Sequence, residues 1–524
     1  MNQPSPAATE SEAPDRIDGS VLKLAGVVVL GAIMSVLDIT VVNVAMPTFQ
    51  TEFDVANYST VAWTVTAYTL ALATVIPLTG WAADRFGTKR LYIIALALFT
   101  SGSVLCAAAW SIQALIAFRV IQGFGGGMLM PLGMTILTRA AGPERMGRLM
   151  AIMGVPMLLG PILGPILGGW LIEDASWQWI FLINLPIGAI AIVYATIVMP
   201  KDETEPSESF DFLGMLMLSP GLALLLFGVS SIPEEGTVAT PKVWATMLIG
   251  SVLVIAFVFY SFKPQHPLLD LRLFKNRDLT IATITMFLFS ASFFGGLLLI
   301  PTYFQQVRAE SALMAGLLVA PQGLGSLLTM PLAGALVDKI PVGRVVPIGL
   351  GLITLTMFGL TRIEADSSYV YVLGVLFVMG LGMGLTMMPL MTAALRTLTE
   401  SAVARGSTLL NIIQQIASSV GVAVISVVLT NTMKGSEAVT AAQALMEAEK
   451  AGTPPDPSVL QYMVGLGDKF ETVVLDEMTN AYTTSFWVAF TLCVITFGAS
   501  WLLPRKADKT AESQSDSPTP ILMH

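Results

Sequence analysis

The chain has 524 residues, 54% of them hydrophobic and 12% charged, with a formal net charge of -9. An average soluble domain carries about 25% charged residues, so this composition excludes a water-soluble domain, places the chain in a membrane and leaves no nucleic-acid partner expected. Two histidines and two cysteines, Cys106 and Cys493 in apolar surroundings, provide no ligand set for a metal centre and no disulfide framework.

Residues 1–20 are polar and rich in proline and acidic groups, and read as a disordered cytosolic tail rather than a cleavable signal. Apolar segments long enough to cross a bilayer, about 20 residues each, follow at 21–46, 59–80, 91–110, 112–138, 148–172 and 179–199. A charged linker at 200–210 leads to two more, 211–232 and 243–262. A second linker, 263–278, precedes the last six at 279–304, 311–337, 345–362, 369–395, 406–430 and 481–503. The expected fold class is therefore an all-α polytopic membrane protein of fourteen transmembrane helices in a 6+2+6 layout. Its units are a six-helix bundle (21–199), a linker unit with two helices (200–278), a second six-helix bundle (279–503) and a cytosolic tail (504–524). An even number of spans puts both termini on one side. With that side inside, most of the 27 lysines and arginines fall in inside segments, the bias expected of cytosolic loops. Residues 431–480 read as a long outside loop with an acidic excess, in which 438–450 has the composition of a short helix. A solvated cap and a partner or gating surface both fit this loop.

The first span, VLKLAGVVVLGAIMSVLDITVVNVAM, carries Asp38 well inside it. An acid near the middle of a spanning helix costs roughly 2.5–3.5 kcal/mol on insertion scales. The cost is tolerated when the group faces a polar cavity, finds a partner or takes up a proton; an interfacial acid that caps or anchors the helix is the alternative. The fourth span, IAFRVIQGFGGGMLMPLG, carries Arg119, which stays charged and needs a carboxylate, a carbonyl or water. Gly123, Gly125, Gly126 and Gly127 let another helix come close, and no Gly-x-x-x-x-Gly-Lys-(Ser/Thr) run marks a nucleotide site. Asp38 and Arg119 are natural partners. A nearby arginine favours a carboxylate and a dry apolar pocket favours the neutral acid, so a movement that exchanges the two settings loads and releases a proton. A static ion pair that fixes the bundle is the competing reading.

The stretch GWAADRFGTKR (80–90) reads as a tight cytosolic turn, with Gly80 for close helix approach, Asp84 and Arg85 for charge pairing and Gly87 for the turn itself. Gly334-Ala-Leu-Val-Asp338-Lys339 repeats its form at the end of the tenth span, which implies two bundles related by a parallel duplication and a charge-based latch. In the fifth span, GPILGPILGG (160–169), Pro161 and Pro165 bend the helix, while Gly160, Gly164, Gly168 and Gly169 permit tight contact. The second half offers a Met-rich run, 379–391, with Met383 and Met387 as adaptable apolar contacts for a substrate, and lipid-facing or core packing as the alternative for each. Asn411, Gln414 and Gln415 fall at helical spacing, and Trp63, Tyr68 and Phe294 are candidates for stacking on a substrate, with core packing the alternative for each.

The motifs LDITVVNVAMP (37–47), GWAADRFGTKR (80–90), FRVIQGFGGG (118–127), GPILGPILGG (160–169) and WQWIFLINLPIG (177–188) resemble the signatures of the fourteen-span drug:proton antiporters of the major facilitator superfamily, the QacA/EmrB-like group. The resemblance implies alternating access between two bundles in the inner (plasma) membrane, energised by the proton gradient with no cofactor. It implies Asp38 as the proton-coupling acid, Arg119 as its partner, Asp84 and Arg85 as the cytosolic gating loop, and 160–169 as the antiporter motif. Thr88 departs from the pattern, which usually carries a basic residue there, and implies a weaker latch. The expected partners are a lipophilic small molecule, protons and membrane lipids, with a periplasmic adaptor left open. Export of an endogenous lipid or siderophore is the alternative function, and a non-transporting receptor or scaffold is a third. No catalytic constellation points to an enzyme.

Overall fold

The structure, a computed structural model, describes residues 19–505 apart from 56–57, 142–153, 155–159, 161–162, 165, 173, 203–209, 236, 266, 338, 397, 399–402 and 452. In hydrocarbon, every backbone polar group must be satisfied internally, which leaves helices as the solution for apolar runs of this length. The first half contains α1 (Gly19–Glu52), α2 (Tyr58–Phe86), α3 (Thr88–Ala107), α4 (Ile112–Ala141), the short α5 (Trp179–Leu182) and α6 (Asn184–Val198). The fifth span lies mostly outside the described residues, with 166–172 helical. Helices α5 and α6 divide one apolar stretch at Ile183, because Pro186 lacks an N–H and its ring crowds the carbonyl four residues back.

A hairpin of α7 (Phe212–Glu235) and α8 (Pro241–Tyr260) follows, then a short 3-10 turn, Leu271–Lys275. The second half contains α9 (Arg277–Gln306), α10 (Ala312–Val337), α11 (Val342–Leu360), α12 (Tyr369–Gly384), α13 (Met387–Arg396) and α14 (Val403–Lys434). It ends in α15 (Glu437–Ala451), α16 (Pro457–Leu466) and α17 (Phe470–Ser500). Among the described residues, 13 helical stretches are long and apolar enough to cross a membrane. They correspond one to one with the predicted spans other than 148–172.

Two expectations need correction. The outside loop 431–480 is largely helical: α14 runs to Lys434, α15 covers the short helix expected at 438–450, and α17 begins at Phe470 rather than 481. Glu471, Asp476 and Glu477 interrupt the apolar run there without interrupting the helix, so hydropathy placed the boundary late. The stretch 80–90 is not a loop: α2 stays helical through Phe86 and α3 starts at Thr88. Gly87 alone makes the turn, at φ 91°, a conformation that side chains rarely adopt.

In the first half, α4 is central, packed by α1, α2 and α3, with α6 against α1 and α3. In the second half, α9 packs on α14 and α17, and α12 packs on α10 and α11. The halves meet where α14 lies against α2 and α4. The α7–α8 hairpin covers that seam, touching both α2 and α14. Ring contacts between Trp63 and Phe227 (5.4 Å) and between Trp81 and Phe210 (4.4 Å) hold it along α2. Buried Asp211 fixes its base by accepting from the Gly214 amide (2.8 Å), the Tyr260 hydroxyl (3.0 Å) and the Leu268 amide (3.1 Å).

Candidate functional site

Asp38 and Arg119 meet inside the first half. Arg119 Nη1 lies 2.5 Å from Asp38 Oδ2, and both side chains are fully shielded from solvent. The acid is therefore not at a helix end or a water interface. Arg119 Nη1 also donates to Gln122 Oε1 (2.7 Å), and its Nε donates to the Thr64 carbonyl (3.0 Å). Its guanidinium lies 4.0 Å from the Tyr68 ring centroid and 5.9 Å from that of Phe181. Asp38 Oδ1 accepts from Gln122 Nε2 at 2.7 Å and, at the edge of range, from Asn184 Nδ2 at 3.4 Å. Ser103 Oγ receives the same two amides, at 2.6 and 3.2 Å. Six elements, α1 to α6, thus converge on one charged pair.

Sequence reasoning reached the pair and missed its setting. Gln122 lies three residues after Arg119, on the same helix face. Asn184 is the amide within the apolar run WQWIFLINLPIG. Polar side chains inside spans are a signal in themselves; Gln122 lay in a span read for Arg119 and its glycines, and Asn184 in a stretch noted for its resemblance. Ser103 and the Thr64 carbonyl carried no comparable sign.

The glycines of α4 explain how the helices come so near. A Cβ at Gly125 would meet the Ala95 carbonyl oxygen and the Phe99 Cα at 2.8 Å, and one at Gly123 would meet the Tyr68 carbonyl oxygen at 2.7 Å. In the fifth span, a Cβ at Gly160 or Gly164 would strike Val36 or Thr40 of α1, and one at Gly168 would sit 3.3 Å from Val41, whereas Gly169 faces open space. The Thr40 hydroxyl bonds the Gly160 carbonyl at 3.1 Å. Pro161 and Pro165 lie outside the described residues.

On the other side of α1, a cavity of about 240 Å³ lies between the halves. Ser35, Val36 and Ile39 face it from α1, and Asn411, Gln414 and Gln415 from α14. Phe294 of α9, Met388 of α13 and Ser418 of α14 complete the second-half wall. Met383 and Met387 belong to the packed core instead. Trp63 stacks on the hairpin's Phe227, and Tyr68 is wholly buried against Arg119.

Asp84 sits in the last turn of α2. Its Oδ1 accepts from Arg139 Nη2 of α4 (3.0 Å), and its Oδ2 lies 3.9 Å from Arg405 Nε of α14. Thr88 accepts from Arg139 Nη1 at 3.1 Å, so it joins the charge cluster as an acceptor. Gly80 is buried and Arg85 exposed; Asp338 lies outside the described residues. Beyond this end, the Thr135 and Ser407 hydroxyls lie 3.0 Å apart, and Asn411 Nδ2 lies 3.3 Å from Met134 Sδ. The halves are thus joined from Asp84 up to the cavity. Asp202, in the first linker, accepts the amides of Lys89 (2.7 Å) and Arg90 (3.0 Å) and caps α3. A Cβ at Gly87 would collide with that carboxylate.

A bundle of membrane-spanning helices in two halves, with a buried ion pair beside a central cavity, defines a multi-pass membrane protein of the transporter kind. The family profile described as Major Facilitator Superfamily matches residues 28–422, and the chain belongs to that superfamily. The "Multidrug resistance protein B homolog" of Mycobacterium tuberculosis is 46% identical over 506 residues, covering 96% of this chain and 93% of its own. The "Multidrug export protein EmrB" of Haemophilus influenzae is 33% identical over 405 residues, covering 77% of this chain and 79% of its own. Among solved structures, that of the human organic anion transporter MFSD10 aligns with a TM-score of 0.58 at 16% identity, covering 91% of this chain and 100% of that one. At that identity the likeness speaks for the fold alone.

Proposed function

We propose that this protein exports amphipathic or lipophilic compounds across the plasma membrane in exchange for protons, as a member of the fourteen-span drug:proton antiporter group, with both termini in the cytoplasm. The observation that carries the reading is the fully shielded Asp38–Arg119 pair. Burying two charges costs several kcal/mol per ion, and well-packed apolar side chains in their place are often as stable or more so. So costly a pair, close to a cavity between two halves, fits a carboxylate that alternates between charged and protonated forms. The relatives named for multidrug resistance and multidrug export support the substrate class. The cavity wall of methionine, phenylalanine and amide side chains suits apolar molecules with some hydrogen-bonding capacity.

The cavity's 240 Å³ is below the ~300–1,000 Å³ of drug-sized pockets, so the halves must part for a substrate to enter. Alternating access provides that parting. A membrane potential of ~100 mV is worth about 2.3 kcal/mol per charge, enough for one proton to sustain on the order of a fiftyfold substrate gradient. The test is transport of ethidium and Nile red by proteoliposomes under an imposed pH gradient. Uphill accumulation that collapses with a protonophore is the expected result; accumulation indifferent to the gradient contradicts it.

A further inference from the structure

The cavity and the ion pair do not touch. Ser35, Val36 and Ile39 face the cavity, whereas Asp38, on the same helix, faces the bundle interior at 1% exposure. A molecule in the cavity cannot compete directly for the carboxylate, so exchange needs an intermediary. One chain of contacts joins the two sites. The Ser35 hydroxyl, on the cavity wall, lies 3.2 Å from the Tyr68 hydroxyl. The Tyr68 ring lies 4.0 Å from the Arg119 guanidinium carbon, and Arg119 holds Asp38. Gly126, also on the cavity wall, makes room for this arrangement, since a Cβ there would strike the Tyr68 hydroxyl.

We propose that Ser35 and Tyr68 are positioning residues that transmit occupancy of the central cavity to the Asp38–Arg119 pair. The proposal rests on the proton-exchange reading above and deepens it. In the arrangement seen here, the tyrosine ring is seated on the guanidinium and the guanidinium on the carboxylate. A ligand pressing on the wall formed by Ser35 and Gly126 favours this seat and keeps Asp38 charged. When Tyr68 leaves Ser35, the ring shifts, the guanidinium loosens, and an acid without its counter-charge in a dry bundle takes a proton from water. Among the described residues, the titratable and charged groups that act on Asp38 from the surrounding helices are Arg119 of α4, Tyr68 of α2 and Cys106 of α3; α6 presents the neutral Asn184. By linkage, a proton on Asp38 weakens ligand binding by the same factor that ligand weakens proton binding.

The test uses the purified full chain, ethidium and Nile red as probes, and a pH indicator in weakly buffered detergent solution. Wild type is expected to release protons on binding a probe, with a Kd that changes on the order of tenfold between about pH 6 and about pH 8. Tyr68→Phe keeps the ring and loses the hydroxyl, and Ser35→Ala loses the other partner. Both are expected to flatten the Kd change to about twofold or less and to lose most of the proton release. Ser35→Thr, which keeps a hydroxyl, is expected to retain both. Full proton release and full pH dependence in Tyr68→Phe overturn the proposal. A flattened response in Tyr68→Phe beside an unchanged one in Ser35→Ala overturns the link to the cavity. If Tyr68→Phe fails to fold, the contrast between Ser35→Ala and Ser35→Thr decides, and equal behaviour of the two counts against the relay. Wild type that binds neither probe, or binds without proton release, overturns the exporter reading itself and is thereby distinguishable.

Discussion

Asp84 of α2 lies 3.9 Å from Arg405 of α14, so a carboxylate of the first half reaches across to a guanidinium of the second. The same carboxylate bonds Arg139 within its own half at 3.0 Å. Asp84 is thereby the meeting point of a fixed contact and a breakable one. The hydroxyl pair Thr135–Ser407 continues the junction toward the cavity, so parting the halves at this end breaks both a charge contact and a neutral one.

Asp84→Asn removes the carboxylate that Arg139 and Arg405 share. The variant is expected to favour opening at this end by about 1 kcal/mol, roughly fivefold in the equilibrium. Spin-label distances between the α2 and α14 ends measure it. Arg139→Ala, which leaves the cross-half contact in place, is expected to move the distribution less; an equal or larger effect would place the latch within the first half.

The glycines of the fifth span are not equivalent. Gly164→Ala forces a Cβ into the Thr40 side chain, while Gly169→Ala enters open space. Overpacking of this kind costs typically about 1–3 kcal/mol. Thermal unfolding in detergent is expected to show a lower midpoint for Gly164→Ala and little change for Gly169→Ala. Equal midpoints would mean that α1 and the fifth span do not pack as closely as described.

Asp202 caps α3 from a linker remote in sequence. Its removal exposes two backbone donors at a helix N-terminus, a loss of about 1–2 kcal/mol. Asp202→Ala is expected to lower the thermal midpoint and to speed hydrogen exchange at the Lys89 and Arg90 amides. Unchanged exchange at those two amides would show that the cap does not hold in solution.

Much of the fold was legible in the sequence because hydrocarbon enforces helices and leaves long apolar runs as their mark. Boundaries were harder. The start of α17 was hidden by Glu471, Asp476 and Glu477, and the turn at 80–90 contracts to Gly87 because a helix accommodates Asp84 and Arg85 in its last turn. Asp38 and Arg119 stood out as charges in oil. Their companions did not: an amide such as Gln122 or Asn184 costs less in a span and draws less notice, and only packing shows that both reach Asp38. For the cavity, sequence pointed to Phe294, Asn411, Gln414 and Gln415, all of which line it, but not to the choice of Met388 over Met387.

The central claim is that Asp38 carries the exchanged proton, and uphill transport by Asp38→Asn tests it most directly. In proteoliposomes with an imposed pH gradient, wild type is expected to concentrate ethidium or Nile red against its gradient. Asp38→Asn is expected to retain dye exchange at equilibrium while losing uphill accumulation. Accumulation by Asp38→Asn equal to wild type, still abolished by a protonophore, would contradict the account and place the proton on another group.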